Sequence, residues 1–123
     1  MSGSLIKIDE EIVTSAVSSV TLGGADWDTS YDVYMVQYLN VFMSSSGANN
    51  RIRFTVSGSA DTSANYDGAS KQMYTNQAFY NASSANATYI NSLGLGTTQD
   101  KSDNGTLYLY NFNNASEYSF ITQ

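Results

Sequence analysis

Apolar side chains recur along this chain with a period of two, the spacing that sends alternate residues to opposite faces of a β-strand. Residues 5–8 read as a short apolar strand. Residues 17–22 alternate, with Val20 and Leu22 on one face and Val17, Ser19 and Thr21 on the other, until Gly23-Gly24 signals a turn. The most regular segment is 31–43. Val33, Met35, Leu39 and Val41 fall on one face, and Tyr34, Val36, Tyr38 and Phe42 on the other. Both faces are apolar, which predicts a central strand covered from two sides.

After a polar loop over 44–50 that contains Gly47, residues 51–57 alternate again. Ile52, Phe54 and Val56 point inward, and Arg51, Arg53 and Thr55 outward. Asp67-Gly68 predicts a turn, residues 71–74 a short strand, and the Ala-, Ser- and Asn-rich stretch 76–91 a helical turn or an open loop. Asn104-Gly105 predicts a type I′ hairpin turn leading into a strand over 106–112, where Leu107 and Leu109 oppose Tyr108 and Tyr110. A last strand over 117–122 places Tyr118 and Phe120 on one face. About six to eight short strands with turn signals between them predict an all-β fold, an antiparallel β-sandwich of jelly-roll type.

The composition narrows the chemistry. The chain of 123 residues has no His, no Cys and no Pro. A Ser–His–Asp triad, a Cys–His pair and a Cys/His zinc site are therefore excluded. Solubility rests on hydroxyls and amides, because only 13% of residues are charged, against a usual share of about 25%. Eleven Asp and Glu against five Lys and Arg leave a net charge of −6. No basic patch large enough to neutralise a nucleic-acid backbone is present, so no nucleic-acid partner is expected. No run approaches the ~20 apolar residues that span a bilayer, and no membrane insertion is expected. Residues 1–11 have no apolar run of signal-peptide length, which predicts synthesis in a cytoplasm without secretion. The length predicts a single domain over 1–123, with 1–11 as an N-terminal docking arm.

Three groups of residues are candidates for function. Asp26, Asp28, Ser30 and Asp32 alternate like the oxygen ligands of a calcium loop. The positions where an EF-hand needs Gly and Glu carry Tyr31 and Gln37, so an acidic loop without a metal or other cofactor is the better reading. A carboxylate pair drawn from Asp26, Asp28 and Glu117 is the one route to glycoside cleavage, and it is not favoured. Trp27, the sole Trp, lies in the same loop, either as a sugar-stacking platform or as an anchor to the core or an interface. Most of the ten Tyr residues occupy strand-like positions suited to sheet packing and to an amphipathic subunit interface. Tyr34, Tyr38, Tyr108 and Tyr110, with Leu5, Ile6 and Ile8 of the arm, are the expected contact residues.

Four stretches, in order along the chain, resemble a family of bacteriophage virion proteins, especially those of marine phages. They are Ser2-Gly3-Ser4-Leu5-Ile6-Lys7-Ile8, Tyr31-Asp32-Val33-Tyr34-Met35-Val36, Ala64-Asn65-Tyr66-Asp67-Gly68-Ala69 and Phe112-Asn113-Asn114-Ala115-Ser116-Glu117-Tyr118-Ser119-Phe120. The resemblance implies a β-rich structural or fibre-type particle component, not an enzyme, and it carries over no catalytic residue. Members of that family continue beyond a segment like 112–120, whereas this chain ends at Gln123. The sandwich is therefore expected to be completed by further strands or by a partner chain. The expected function is a virion structural protein on the particle surface, as a tail fibre, tail accessory or capsid decoration. Its expected partners are other virion proteins and its own copies, with a trimer favoured. The alternative is a glycan- or receptor-binding module, calcium-assisted, at Trp27, Asp26, Asp28 and Asp32.

Overall fold

A computed structural model describes residues 4–24, 27, 30–43, 45, 50–73, 79–91, 102–112, 114 and 116–123. Nine strands follow one another among these residues: β1 Val33–Phe42, β2 Arg51–Ile52, β3 Thr55–Val56, β4 Ser59–Ala60, β5 Tyr66–Gln72, β6 Tyr80–Ala87, β7 Ile90–Asn91, β8 Ser102–Tyr110 and β9 Phe120–Thr122. The protein is all-β, and the described residues contain no α-helix. The strands form small, unclosed sheets: β1-β8-β9, and the antiparallel pairs β2-β7, β3-β4 and β5-β6.

The chain divides into two compact units, and β1 and β8 each contribute to both. The first holds residues 1–36 and 107–122. Its core is Tyr34, Leu107 and Leu109, each 4% exposed or less. β8 pairs antiparallel with β9 through Tyr108↔Thr122, Leu109↔Ile121 and Tyr110↔Phe120. Asn111 closes the connection between them in the left-handed region, at φ 64°. Its Nδ2 donates to the Tyr118 carbonyl at 3.0 Å and to Glu117 Oε2 at 3.3 Å, and its carbonyl accepts from the Ser119 hydroxyl at 3.1 Å.

The second unit holds residues 37–106 with Gln123. β3 and β4 are joined by Ser57-Gly58, both at positive φ (51° and 79°). That is the backbone of a two-residue type I′ turn, and Gly58 adopts it without a Cβ penalty. The buried Tyr66 holds this hairpin. Its ring stacks with Phe54 at 6.3 Å, and its hydroxyl accepts from the Phe54 N–H and donates to the Asp61 carbonyl, both at 3.2 Å.

One polar device occurs twice in this unit. Between the pairs Tyr66↔Ala87 and Gly68↔Ser84, β5 advances two residues and β6 three, so β6 carries a bulge. Within it Asn86 turns left-handed (φ 53°), and its N–H donates to Asp67 Oδ1 at 2.7 Å. The next residue after Asp67, Gly68, lies against Ser84, whose Oγ would stand 3.3 Å from a Cβ. In β1, Asn40 is likewise left-handed (φ 57°), and its N–H donates to Asn104 Oδ1 at 2.7 Å. Gly105, next after Asn104, lies under the Tyr38 ring, where a Cβ would collide with the ring and its hydroxyl. Asp-Gly and Asn-Gly here are strand residues. The Asx oxygen replaces a missing ladder acceptor, and the glycine admits a side chain from the neighbouring strand.

Several expectations from the sequence are corrected by this arrangement. Neither Asp67-Gly68 nor Asn104-Gly105 is a turn, because each lies inside a strand, β5 and β8 respectively. The stretch expected as a helical turn or loop contains β6 and β7, with its small side chains facing those of β5. Its residues 76–78 lie outside the described residues. Residues 5–8 and 17–22 are not strands, and they pair with no strand among the described residues. Among the described residues β1 lies at the edge of its sheet with Val33, Met35, Leu39 and Phe42 exposed, not as a central strand covered on both sides. Its alternation also changes phase. Tyr34, Val36 and Tyr38 are the covered positions before Asn40, and Val41 is half-buried after it, because the left-handed residue inserts one step.

Gly105→Ala is expected to lower stability by about 1–3 kcal/mol in urea unfolding, the cost of overpacking. Adding Tyr38→Ala should recover part of that loss, giving a double-mutant coupling that independent sites would not show.

Candidate functional site

The aromatic corner at the start of β1 is built from Gly23, Trp27, Tyr31 and Tyr34. Trp27 stacks on Tyr34 with ring centroids 4.0 Å apart and 19° between planes, and Tyr31 meets Tyr34 edge-on at 6.0 Å. Gly23, at φ 89°, passes so close beneath the indole that a Cβ would stand 3.0 Å from Trp27 Cε3. The Gly23 N–H donates to Asp9 Oδ2 at 2.8 Å, which pins both ends of the 9–23 segment together. Trp27 is half-buried, stacked on Tyr34 and close to Gly23 at Cε3 of its six-membered ring. Asp26 and Asp28 lie outside the described residues. Asp32 is exposed, and its carbonyl accepts from the Asn111 N–H at 3.2 Å. Among the described residues no three acidic side chains converge on a common point.

The expected contact residues separate into two groups. Tyr34 is buried within its own unit, and Tyr38 is half-buried against Gly105, its hydroxyl accepting from Gln123 Nε2 at 3.0 Å. Tyr108 and Tyr110 are exposed on the face of β8 opposite Leu107 and Leu109. The β8–β9 register sets Phe120 directly across from Tyr110, so these aromatic side chains share one solvent-facing surface. Leu5 and Ile6 are exposed, and Ile8 is half-buried. The sequence placed Phe120 on a strand face, but only the register reveals its partner.

A second aromatic centre was not legible from spacing. Arg51 and Arg53 share a face, and β7 brings Tyr89 to them from far along the chain. The guanidinium carbons lie 4.3 and 5.6 Å from the ring centroid, and Arg53 Nε donates to the Thr88 carbonyl at 2.9 Å. Cation–π attraction and this hydrogen bond hold the short β2-β7 pair together.

Ser63 holds the Asp61 carboxylate in its charged form. The Ser63 hydroxyl donates to Asp61 Oδ1, and the Ser63 N–H donates to the same oxygen at 2.9 Å. The hydroxyl bond first, then the backbone bond, favour the charged form and hold the Asp61 pKa below its ordinary value, against a smaller opposing effect of burial.

Comparison of the chain with family models, curated proteins and solved structures finds no match.

Trp27→Ala is expected to destabilise the protein by about 1–3 kcal/mol, because it strips the cover from Tyr34 and Gly23. Trp27→Phe should retain most of that stability, as read by chemical unfolding. The depressed Asp61 pKa adds stability that is complete above the unfolded-state value, about 3.9, and is lost as pH falls through the folded value. Acid titration of Asp61→Asn should therefore show a flatter decline of stability below about pH 4 than the parent chain.

Proposed function

We propose that this chain is a structural subunit that works by assembly, as a β-rich component of a bacteriophage particle surface. The observation that carries this reading is the apolar surface left bare. Copies arranged in a closed ring, with a trimer favoured, would cover it. The bare surface is also chemically suited to an interface. Tyr108, Tyr110 and Phe120 on the β8–β9 face, and Val33, Met35 and Leu39 on β1, are all exposed.

In this reading the small sheets become layers of a jelly-roll-type sandwich when copies or other virion proteins supply the facing layer. Leu5 and Ile6, exposed at the start of the chain, dock on a neighbouring particle protein. The hydroxyl- and amide-rich surface keeps its contacts in salt, where exposed charge pairs contribute little. Glycan or receptor binding at Trp27, Asp26, Asp28 and Asp32, calcium-assisted, is the second reading. It ranks below assembly because Tyr34 already occupies one face of the Trp27 ring.

Light scattering on the purified chain is expected to give a β-rich trimer or larger closed ring. Tyr108→Ser with Tyr110→Ser should lower the mass while leaving the β-sheet circular dichroism in place. A stable, well-folded monomer from the unaltered chain would remove the assembly reading.

A further inference from the structure

We propose that Asn104-Gly105 is a modification site gated by folding: its side-chain amide deamidates through a cyclic imide when the chain is open, and contacts from β1 hold it unreacted in the fold. The inference stands on the second unit alone and is independent of the assembly reading.

An asparagine followed by glycine closes to an imide more readily than other pairs, because no Cβ on the second residue hinders the approach of its nitrogen. Asn104-Gly105 is the one Asn-Gly pair of the chain. The Gly105 nitrogen attacks Cγ of the Asn104 side chain. A ring C–N bond forms, the bond to the side-chain nitrogen breaks, and ammonia leaves with the Gly105 proton. Water then opens the imide at either carbonyl. One opening yields aspartate, the other isoaspartate, in which the main chain runs through the side-chain carbons.

In the fold three features oppose that closure. Asn104 and Gly105 lie inside β8, and closure needs the Asn104 backbone to rotate out of the extended geometry of a strand. Asn104 Oδ1 accepts from the Asn40 N–H at 2.7 Å, which anchors the amide on β1. Gly105 is half-buried under the Tyr38 ring, and Tyr38 is tied by its hydroxyl to Gln123 Nε2 at 3.0 Å. The two products then differ in fate. In β5 the Asp67 carboxylate already caps a left-handed residue, accepting from the Asn86 N–H at 2.7 Å, with Gly68 next in line. An aspartate at position 104 supplies the same acceptor to Asn40. Isoaspartate lengthens the main chain ahead of Gly105, moves that residue from under Tyr38 and breaks the register of β8. The site marks chains that have spent time unfolded, and one of its two products returns to the fold.

Peptide mapping by mass spectrometry follows deamidation at position 104 in the full chain, in mildly alkaline buffer with and without guanidinium chloride. The rate is expected to be at least about tenfold lower without denaturant, where reaction waits on opening of the strand. Equal rates would overturn the gate. Tyr38→Ala, which uncovers Gly105, should raise the rate in buffer several-fold. Tyr66→Phe loosens the same unit elsewhere, by removing the hydroxyl that bridges Phe54 and Asp61. The two variants are compared at equal unfolded fractions, and equal acceleration by both would overturn the lock by Tyr38. After ageing in denaturant and refolding, the soluble folded fraction should retain chains with aspartate at 104 and exclude those with isoaspartate. Isoaspartate recovered equally in that fraction would overturn the difference between the products.

Discussion

A β-sheet satisfies its backbone by pairing strands, but its side chains are covered only by a second layer, and in this protein that layer is thin. Tyr34, Tyr66, Leu107 and Leu109 are the buried apolar side chains among the described residues. Around them β1 presents Val33, Met35 and Leu39, and β8–β9 presents Tyr108, Tyr110 and Phe120, to solvent. Burial is the main favourable contribution to folding, so a chain that leaves this much apolar surface bare gains most by covering it on a neighbour. In the assembly proposed above, covering that surface would complete the fold rather than add to it.

With so few buried side chains, polar contacts between strands take over the task of fixing register. The two Asx–Asn pairs, Asp67 with Asn86 and Asn104 with Asn40, each cap a left-handed residue with an oxygen from the adjacent strand. Each capping residue is followed by a glycine that accepts a side chain from across the strand pair. A slip by one residue would lose the cap and drive a side chain into a Cβ-bearing position at the same time. Tyr66, bridging Phe54 and Asp61 through one hydroxyl, serves the β3–β4 hairpin in a similar way. These contacts specify arrangement more than they add stability, because each hydrogen bond contributes only about 1 kcal/mol net.

The period of two in 31–43, 51–57 and 106–112 was enough to read an all-β chain, and β1, β2, β3 and β8 lie within or across those segments. Trp27 was legible as an anchor or a platform, and Tyr108 and Tyr110 as sharing one strand face, because alternation decides which side chains share a side. The dipeptides misled. Asp-Gly and Asn-Gly have the same local preference for a tight turn whether or not a neighbouring strand arrives, and local preference was all that spacing could report. The strand β6 was equally hidden, since its Ala, Ser and Asn residues have little intrinsic preference for a sheet and become a strand only through pairing with β5.

The sequence by itself determined the class of backbone, the lack of imidazole and thiol chemistry, and the acidic, hydroxyl-rich character of the surface, because these follow from residue type and short-range alternation. Only the tertiary structure decided that β1 pairs with β8, that Tyr110 faces Phe120, that Arg51 and Arg53 meet Tyr89, and that Asn40 shifts the phase of its strand. Each of those depends on which strand lies alongside which, a relation between residues far apart in the chain that no local pattern encodes.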